Sequence, residues 1–290
     1  MIVPLSLTEK DQLKALLQQA LLEDCPHGDI TSDLFCIQGV ATAQLVAKQN
    51  GIFYGQAVID CLIADFFPTL TVVFFKYDGD PLKPQDSVCE LSGSIVDILK
   101  IERIMLNIIQ RLSGIATHTS RHVHALHNPT IAVMDTRKTT PLYRFLERKA
   151  VLAGGGVNHR FSLSDMVLLK ENHLTQLAKT GQLSQLGARI KAAKQTHPSL
   201  VIEVEIEASD QLKELDLGMA DIIMLDNFGM TDLQDALELC IKKYPLIKRE
   251  ISGNIALDNI ATYRELSIHR ISVGGLTHSA PAFDFSLLIR

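Results

Sequence analysis

From about residue 130 onward the sequence repeats one rhythm: a short apolar run, a polar or glycine-bearing turn, then a segment of helical periodicity. The apolar runs fall at 131–135, 166–170, 201–207, 221–226, 248–252 and 270–274. Most are continuously apolar rather than alternating, as parallel strands covered on both faces are. Helical patterns lie between them at 184–195, 209–217, 231–243 and 258–266. Repeated β-α units of this kind fold into a parallel sheet, open or closed into a barrel.

The strand ends narrow the choice. The runs end in Asp135 (then Thr136-Arg137-Lys138), Lys170, Glu205, Asp226-Asn227, Ser252-Gly253 and Gly274-Gly275. In a barrel the C-terminal strand ends converge on one mouth, where active sites are built. The pattern predicts two carboxylates, several cations and two glycine-bearing turns around that mouth.

The N-terminal third reads differently. Ser6-Leu7-Thr8-Glu9 has capping-box spacing ahead of Leu13, Leu16, Leu17, Ala20 and Leu21, which predicts a first helix ending near Pro26 and Gly28. Strand patterns follow at 41–47, 70–75 and 87–90. A long helical pattern then covers 95–126, with an interruption expected at Ser113-Gly114.

Charge is unevenly placed. The 290 residues carry 28 Lys+Arg and 33 Asp+Glu, a net charge of −5. Between Arg137 and Lys170, seven cations (Arg137, Lys138, Arg144, Arg148, Lys149, Arg160, Lys170) face two anions (Glu147, Asp165). That segment is +5 and the remainder −10. The overall acidity argues against a nucleic-acid partner, whose binding leaves a basic excess. The +5 segment points to small anionic ligands instead. Arg137 and Arg160 offer planar forks to a carboxylate or phosphate, and Lys138 and Lys170 offer point charges. Arg144, Arg148 and Lys149 read as a solvated helix face. Gly154-Gly155-Gly156 reads as backbone able to approach a ligand or take positive φ.

Glu205 and Asp226 end adjacent strands and suit a divalent cation or sugar hydroxyls. Glu203 and Glu207 share the parity of Glu205, so spacing alone does not choose among them. Ser252-Gly253 and Gly274-Gly275 suit a phosphate cradle at turns leading into helices. His118, His122, His124 and His127 lack an H-E-x-x-H arrangement and read as solvated or capping residues.

At 47% hydrophobic and 21% charged, the composition is that of a globular chain. Cys25, Cys36, Cys61, Cys89 and Cys240 are odd in number and widely spaced, which predicts free thiols rather than a disulfide framework. The N-terminal stretch Met1–Lys10 lacks a signal-peptide pattern, and the apolar stretch 58–75 is broken by Asp60, Asp65 and Pro68. The expectation is a cytoplasmic protein with no membrane partner.

The motifs as a set resemble the quinolinate phosphoribosyltransferases. They are Leu22-Glu23-Asp24, Gly28-Asp29-Ile30-Thr31, Glu102-Arg103, Leu106-Asn107 and Leu112-Ser113-Gly114-Ile115-Ala116-Thr117, followed by Asp135-Thr136-Arg137-Lys138-Thr139-Thr140-Pro141, Gly154-Gly155-Gly156-Val157-Asn158-His159-Arg160 and Leu169-Lys170-Glu171-Asn172-His173. Glu203-Val204-Glu205, Ile223-Met224-Leu225-Asp226-Asn227, Ser252-Gly253-Asn254-Ile255 and Ile271-Ser272-Val273-Gly274 complete the set, in family order and across nearly the whole chain.

The resemblance implies an N-terminal α/β sandwich domain (1–113) and an incomplete, open β/α barrel of the type II phosphoribosyltransferase kind (114–275). A tail (276–290) would return to the first domain. It implies a homodimer with shared active sites, and a magnesium-dependent transfer from 5-phosphoribosyl 1-pyrophosphate to quinolinate. The products would be nicotinate mononucleotide, pyrophosphate and CO2, in NAD biosynthesis. Arg137, His159, Arg160 and Lys170 would hold quinolinate, with Arg103 entering from the partner subunit, and Thr136 would also bind substrate. Lys138 would face the phosphoribosyl pyrophosphate. Glu205 and Asp226 would serve the ribose hydroxyls and the metal-bound pyrophosphate, directly or through water. Ser252, Gly253 and Gly274 would cradle the 5-phosphate, with His278 nearby. The catalytic set is then Lys138, Lys170, Glu205 and Asp226.

Four positions depart from the family pattern: Asn254, Leu142 and Ser162 stand where glycine is usual, and Glu171 where aspartate is usual. Two rival readings are a molybdate-transport-associated relative on the same scaffold and a non-catalytic phosphosugar-binding regulator.

Overall fold

The fold is described from a computed structural model covering residues 4–290, so Met1, Ile2 and Val3 of the N-terminal stretch lie outside the described residues. It divides into two units. The first runs to Arg121 and takes in Thr139–Gly155 and Leu276–Arg290; the second comprises His122–Lys138 and Gly156–Gly275. This division departs from the expected 1–113, 114–275 and 276–290 in two ways: the boundary falls eight residues later, and 139–155 belongs to the first unit.

In the first unit, helix α1 (Leu7–Asp24) starts at the expected capping box. The Glu9 N–H donates to Ser6 Oγ at 3.3 Å, and the Ser6 N–H donates to Glu9 Oε2 at 2.7 Å. Its strands are β1 (Val40–Ala47), β2 (Gly51–Ile52), β3 (Thr71–Phe74), β4 (Pro81–Leu82) and β5 (Ser87–Ser94). Two helices fall among them, α2 (Ile30–Leu34) before β1 and α3 (Gln56–Cys61) after β2. The main sheet places β1 between β5 and the C-terminal strand Phe285–Ile289, all antiparallel, with Ala43 opposite Ile289 and Val40 opposite Ser94. Leu45 and Leu91 of the sheet are fully buried, as are Leu13 and Leu17 of α1.

Helix α4 (Ile95–Leu126) runs unbroken through Ser113-Gly114, against expectation. Tertiary contacts override the breaker signal. Ser113 Oγ accepts the Tyr54 N–H at 3.0 Å and donates to the Tyr54 carbonyl, while a Cβ on Gly114 would collide with the Pro281 carbonyl. Gly154 is glycine for the same kind of reason: a Cβ there would strike the Ala116 carbonyl. The first of the three consecutive glycines therefore serves helix packing rather than a ligand.

The second unit carries the strand–helix repeat. Strands β6 (Ala132–Met134), β7 (Val167–Leu169), β8 (Ile202–Ile206), β9 (Ile222–Asp226), β10 (Lys248–Ser252) and β11 (Arg270–Ser272) fall within the six expected runs. They form one parallel sheet in the order β6-β11-β10-β9-β8-β7, an open β/α barrel. Helix α5 (Arg144–Ala153) lies in the first unit's inserted segment. Helices α6 (Glu171–Lys179), α7 (Leu186–Thr196), α8 (Ser209–Glu214) and α9 (Met230–Lys243) connect the second unit's strands. The helix expected at 258–266 is only a 3-10 turn, Ile260–Tyr263. α10 (Gly275–His278) and β12 (Phe285–Ile289) close the chain.

Two solvated-face readings are corrected. Arg148 and Lys149 are each 8% exposed; Lys149 Nζ donates to the Pro4 carbonyl at 3.1 Å and lies 3.4 Å from Glu9 Oε2. The Lys149 charge looks solvated from helical periodicity alone because its partners are over 130 residues away. His122 is likewise buried, since its face of α4 turns inward.

Candidate active site

The parallel sheet brings the strand-end residues of the second unit to one end. Thr136, Arg137 and Lys138 follow β6, and Lys170 follows β7. Glu205 lies near the end of β8, Asp226 and Ser252 end β9 and β10 in register with each other, and Gly274 follows β11. Of the residues expected at the site, Arg103 and His278 belong to the first unit. Arg103 is an exposed residue of α4, and His278 is exposed at the end of α10, its Nδ1 2.6 Å from Ser279 Oγ.

The cations are set by local backbone chemistry. Thr136 Oγ1 accepts the Lys138 N–H at 3.1 Å, tightening the turn that carries Arg137. Asp135, fully buried, accepts the His159 N–H at 2.7 Å and so ties the loop after the glycines to the end of β6. Arg160 Nη1 donates to the Met166 carbonyl at 3.3 Å. Burial and the neighbouring Arg137 guanidinium hold the Arg160 pKa below its ordinary value. Two guanidiniums this close repel each other, and a bound anion would relieve that repulsion.

The carboxylates lie beside them. Lys170 Nζ is 2.9 Å from Glu205 Oε2, and the Glu205 side chain is 5% exposed. Burial, partly offset by the Lys170 hydrogen bond, pushes the Glu205 pKa up; nearby Glu171 and Asp226 push it further. Glu171, Glu205 and Glu207 bring carboxylate oxygens within 4.8 Å of one another. Hard oxygen donors around a buried carboxylate fit a magnesium ion. Glu171, an aspartate in the usual family pattern, therefore lies against the expected site.

His159 behaves differently from the clamp expected of it. Its side chain is 6% exposed, and both ring nitrogens face protein. Nδ1 accepts the Arg160 N–H at 2.7 Å, while Nε2 lies 3.1 Å from Glu203 Oε2 and 3.4 Å from Glu250 Oε1. Burial disfavours a charge on the ring, and the two carboxylates favour one. The backbone donor at Nδ1 occupies the place of a second proton, so the arrangement holds the neutral tautomer with its hydrogen on Nε2. Glu250 is a site-region residue that strand-end reasoning passes over. Its signal in the sequence is a carboxylate at the same parity as Ser252 inside an otherwise buried strand.

The residues expected to cradle a phosphate lie in turns. Gly253 has φ +98°, and a Cβ there would collide with the Asn227 side chain. Asn254 and Asn227 take φ of 50° and 58°, which asparagine tolerates, so Asn254 replaces a glycine without changing the turn. Asn254 Nδ2 donates to Asn227 Oδ1 at 3.3 Å. A 3-10 turn and a four-residue helix, rather than long helices, follow the two glycine turns.

An open parallel β/α barrel whose strand ends gather paired guanidiniums, lysines, carboxylates and glycine turns defines a class: a transferase acting on phosphorylated, anionic small molecules. The sequence pattern of the quinolinate phosphoribosyl transferase N-terminal domain matches residues 29–113, and that of the C-terminal domain matches 115–288; the chain belongs to this family. It is 40% identical over 277 residues to the probable nicotinate-nucleotide pyrophosphorylase [carboxylating] of Bacillus subtilis (strain 168), covering 95% of this chain and 93% of that protein. It is 38% identical over 269 residues to the protein of the same name from Archaeoglobus fulgidus, covering 91% and 99%. The solved nicotinate-nucleotide pyrophosphorylase from Francisella tularensis superposes with a TM-score of 0.88 at 31% identity, covering 100% of this chain and 99% of that one. The fold is accordingly an N-terminal α/β sandwich joined to an open β/α barrel, and the chain is a pentosyltransferase of the NAD-forming family.

Proposed function

We propose that this strand-end site binds quinolinate against Arg137, Arg160 and Lys170, and 5-phosphoribosyl 1-pyrophosphate against Lys138, Glu205, Asp226 and the Ser252-Gly253 and Gly274 turns. The observation that carries the reading is the adjacency of two guanidiniums to the Lys170–Glu205 pair, which matches a dicarboxylate lying next to a ribosyl centre. The pyridine nitrogen attacks the anomeric carbon, the C–O bond to pyrophosphate breaks, and pyrophosphate leaves with the bonding pair. Glu205 and Asp226 stabilise the positive charge that develops on the ribose in between. The carboxylate next to the ring nitrogen then departs as CO2, leaving its electron pair on a ring carbon beside the quaternised nitrogen. A proton from water completes nicotinate mononucleotide. No protein nucleophile is required, so orientation and preorganised charge supply the catalysis.

Glu205 and Asp226, with Glu171 adjacent, would hold magnesium directly or through water, and the metal would neutralise charge on pyrophosphate. A homodimer accounts for Arg103: exposed on α4, it is available to a partner's site. An apolar stretch of the first unit supports such pairing, with Ile30 71%, Leu34 73%, Phe35 75% and Val40 84% exposed. Among the described residues no helix is long and apolar enough to cross a membrane. The cytoplasm is the proposed compartment, where five free thiols persist.

Purified protein given quinolinate, phosphoribosyl pyrophosphate and magnesium should release nicotinate mononucleotide and pyrophosphate in equal amounts; no product would refute the reading. In the same assay, mixed Arg103→Ala and Arg137→Ala proteins should regain activity through hybrid dimers. No recovery despite subunit exchange would place Arg103 outside a shared site.

A further inference from the structure

Behind the cation cluster, the interior face of the parallel sheet holds a second charged group that strand ends do not explain. Glu250 of β10 is fully buried. Ser272 Oγ of β11 donates to its Oε1, His159 Nε2 lies 3.4 Å from that same oxygen, and Arg270 Nη1 lies 3.5 Å from Oε2. Glu203 of β8, also fully buried, approaches the same His159 nitrogen at 3.1 Å.

His159, Glu203 and Glu250 bring three ligand atoms within 4.8 Å of one another, the outline of a metal site. The ring argues against that use. Nδ1 accepts the Arg160 N–H at 2.7 Å, so the single ring proton sits on Nε2, and Nε2 then has no lone pair for a metal. The cluster works as a chain of close polar contacts, with hydrogen bonds at its two ends, Ser272 to Glu250 and Arg160 to His159, and the chain leads to Arg160. His159 N–H is held by Asp135, and His159 Nδ1 holds the N–H of Arg160, so the ring's orientation fixes the backbone from which the Arg160 guanidinium projects.

We propose that Glu250 is a positioning residue for the dicarboxylate subsite, acting through His159 to set Arg160; the proposal rests on the quinolinate reading above. Glu250 is placed where three donor groups converge: the Ser272 hydroxyl bonds Oε1, while His159 Nε2 and the Arg270 guanidinium approach at 3.4 and 3.5 Å without completing hydrogen bonds. Only a carboxylate presents an acceptor oxygen to all three. A glutamine would aim its NH2 at a donor and displace either the ring or Arg270. Glu203 is less demanding, because neither of its oxygens makes a hydrogen bond that a glutamine amide would have to replace. The two carboxylates therefore differ in how an isosteric amide is tolerated, although they flank one nitrogen.

The test is steady-state kinetics with each substrate varied in turn. Glu250→Gln should raise the KM for quinolinate on the order of tenfold, the scale of losing an outer-shell partner, while the KM for phosphoribosyl pyrophosphate stays within about twofold. Glu203→Gln should change either constant by no more than about twofold. In an Arg160→Lys background, Glu250→Gln should add no further rise in the quinolinate KM, because both changes act on one contact. Equal rises in both KM values, or full additivity with Arg160→Lys, would reduce Glu250 to a structural residue and overturn the proposal. If Glu250→Gln does not fold, Ser272→Ala removes one of the three donors and should raise the quinolinate KM alone by about threefold; an unchanged KM there also overturns it. Wild-type protein that does not turn over quinolinate removes the functional reading and this proposal together. Wild-type turnover with a normal quinolinate KM in Glu250→Gln removes this proposal only.

Discussion

In the first unit, Arg111 and Glu147 form a buried ion pair in which the carboxylate is saturated. Glu147 Oε1 accepts from Arg111 Nε at 3.1 Å, Arg111 Nη2 at 3.0 Å and Thr140 Oγ1 at 2.8 Å, and Oε2 accepts the Thr140 N–H at 3.1 Å. The rest of the guanidinium goes to the Ala280 and Thr277 carbonyls. In the second unit, Glu203 is as deeply buried, yet neither of its oxygens has a hydrogen-bond donor in good geometry, and His159 Nε2 approaches at 3.1 Å without bonding it. A buried carboxylate that lacks donors costs stability, and burial pushes the Glu203 pKa up accordingly. The first arrangement fastens the segment 139–155 into its unit. The second leaves a buried carboxylate without donors beside the residues proposed to bind quinolinate.

This contrast can be broken by mutation. Arg111→Ala should produce the largest change, because it strands the buried Glu147 charge. Loss of one partner of a buried pair costs roughly 3–5 kcal/mol, read by denaturant unfolding, and any folded fraction should keep a wild-type quinolinate KM. A loss below about 1 kcal/mol, the range of an exposed pair, would mean that this pair is not the fastening it resembles.

The smallest change concerns Leu142, which has φ 67° and is 86% exposed. A leucine in the left-handed region costs about 1–2 kcal/mol, and glycine's extra chain entropy returns about half of that. Leu142→Gly should raise the unfolding free energy by up to about 1 kcal/mol with activity unchanged. Destabilisation would show that the exposed leucine makes a contact that offsets its backbone strain.

The six barrel strands were readable because each is a short apolar run closed by a polar residue, and parallel strands covered on both faces leave that trace. Glu205 and Asp226 were readable for the same reason, as the carboxylates at strand ends. What failed to show were contacts made across long stretches of chain. Apart from the family resemblance's returning tail, nothing in the residue pattern shows that β12 pairs with β1 about 240 residues away, that the segment 139–155 joins the first unit, or that α4 runs straight through Ser113-Gly114 because the backbone near Pro281 lies against it. Parity could place Glu203 and Glu250 on a buried face. It could not show that β8 and β10 send them to the same histidine nitrogen, nor that this histidine turns both nitrogens toward protein rather than toward a substrate.

The central claim is that the second unit's cations are held for a ligand rather than for the fold. Arg160→Ala, measured both for unfolding free energy and for quinolinate KM, addresses it most directly. The account predicts a rise in KM on the order of a hundredfold, about 2.7 kcal/mol at 1.36 kcal/mol per tenfold, with unfolding free energy unchanged or slightly increased as the repulsion from Arg137 is relieved. A protein that loses several kcal/mol of stability while binding quinolinate normally would contradict it.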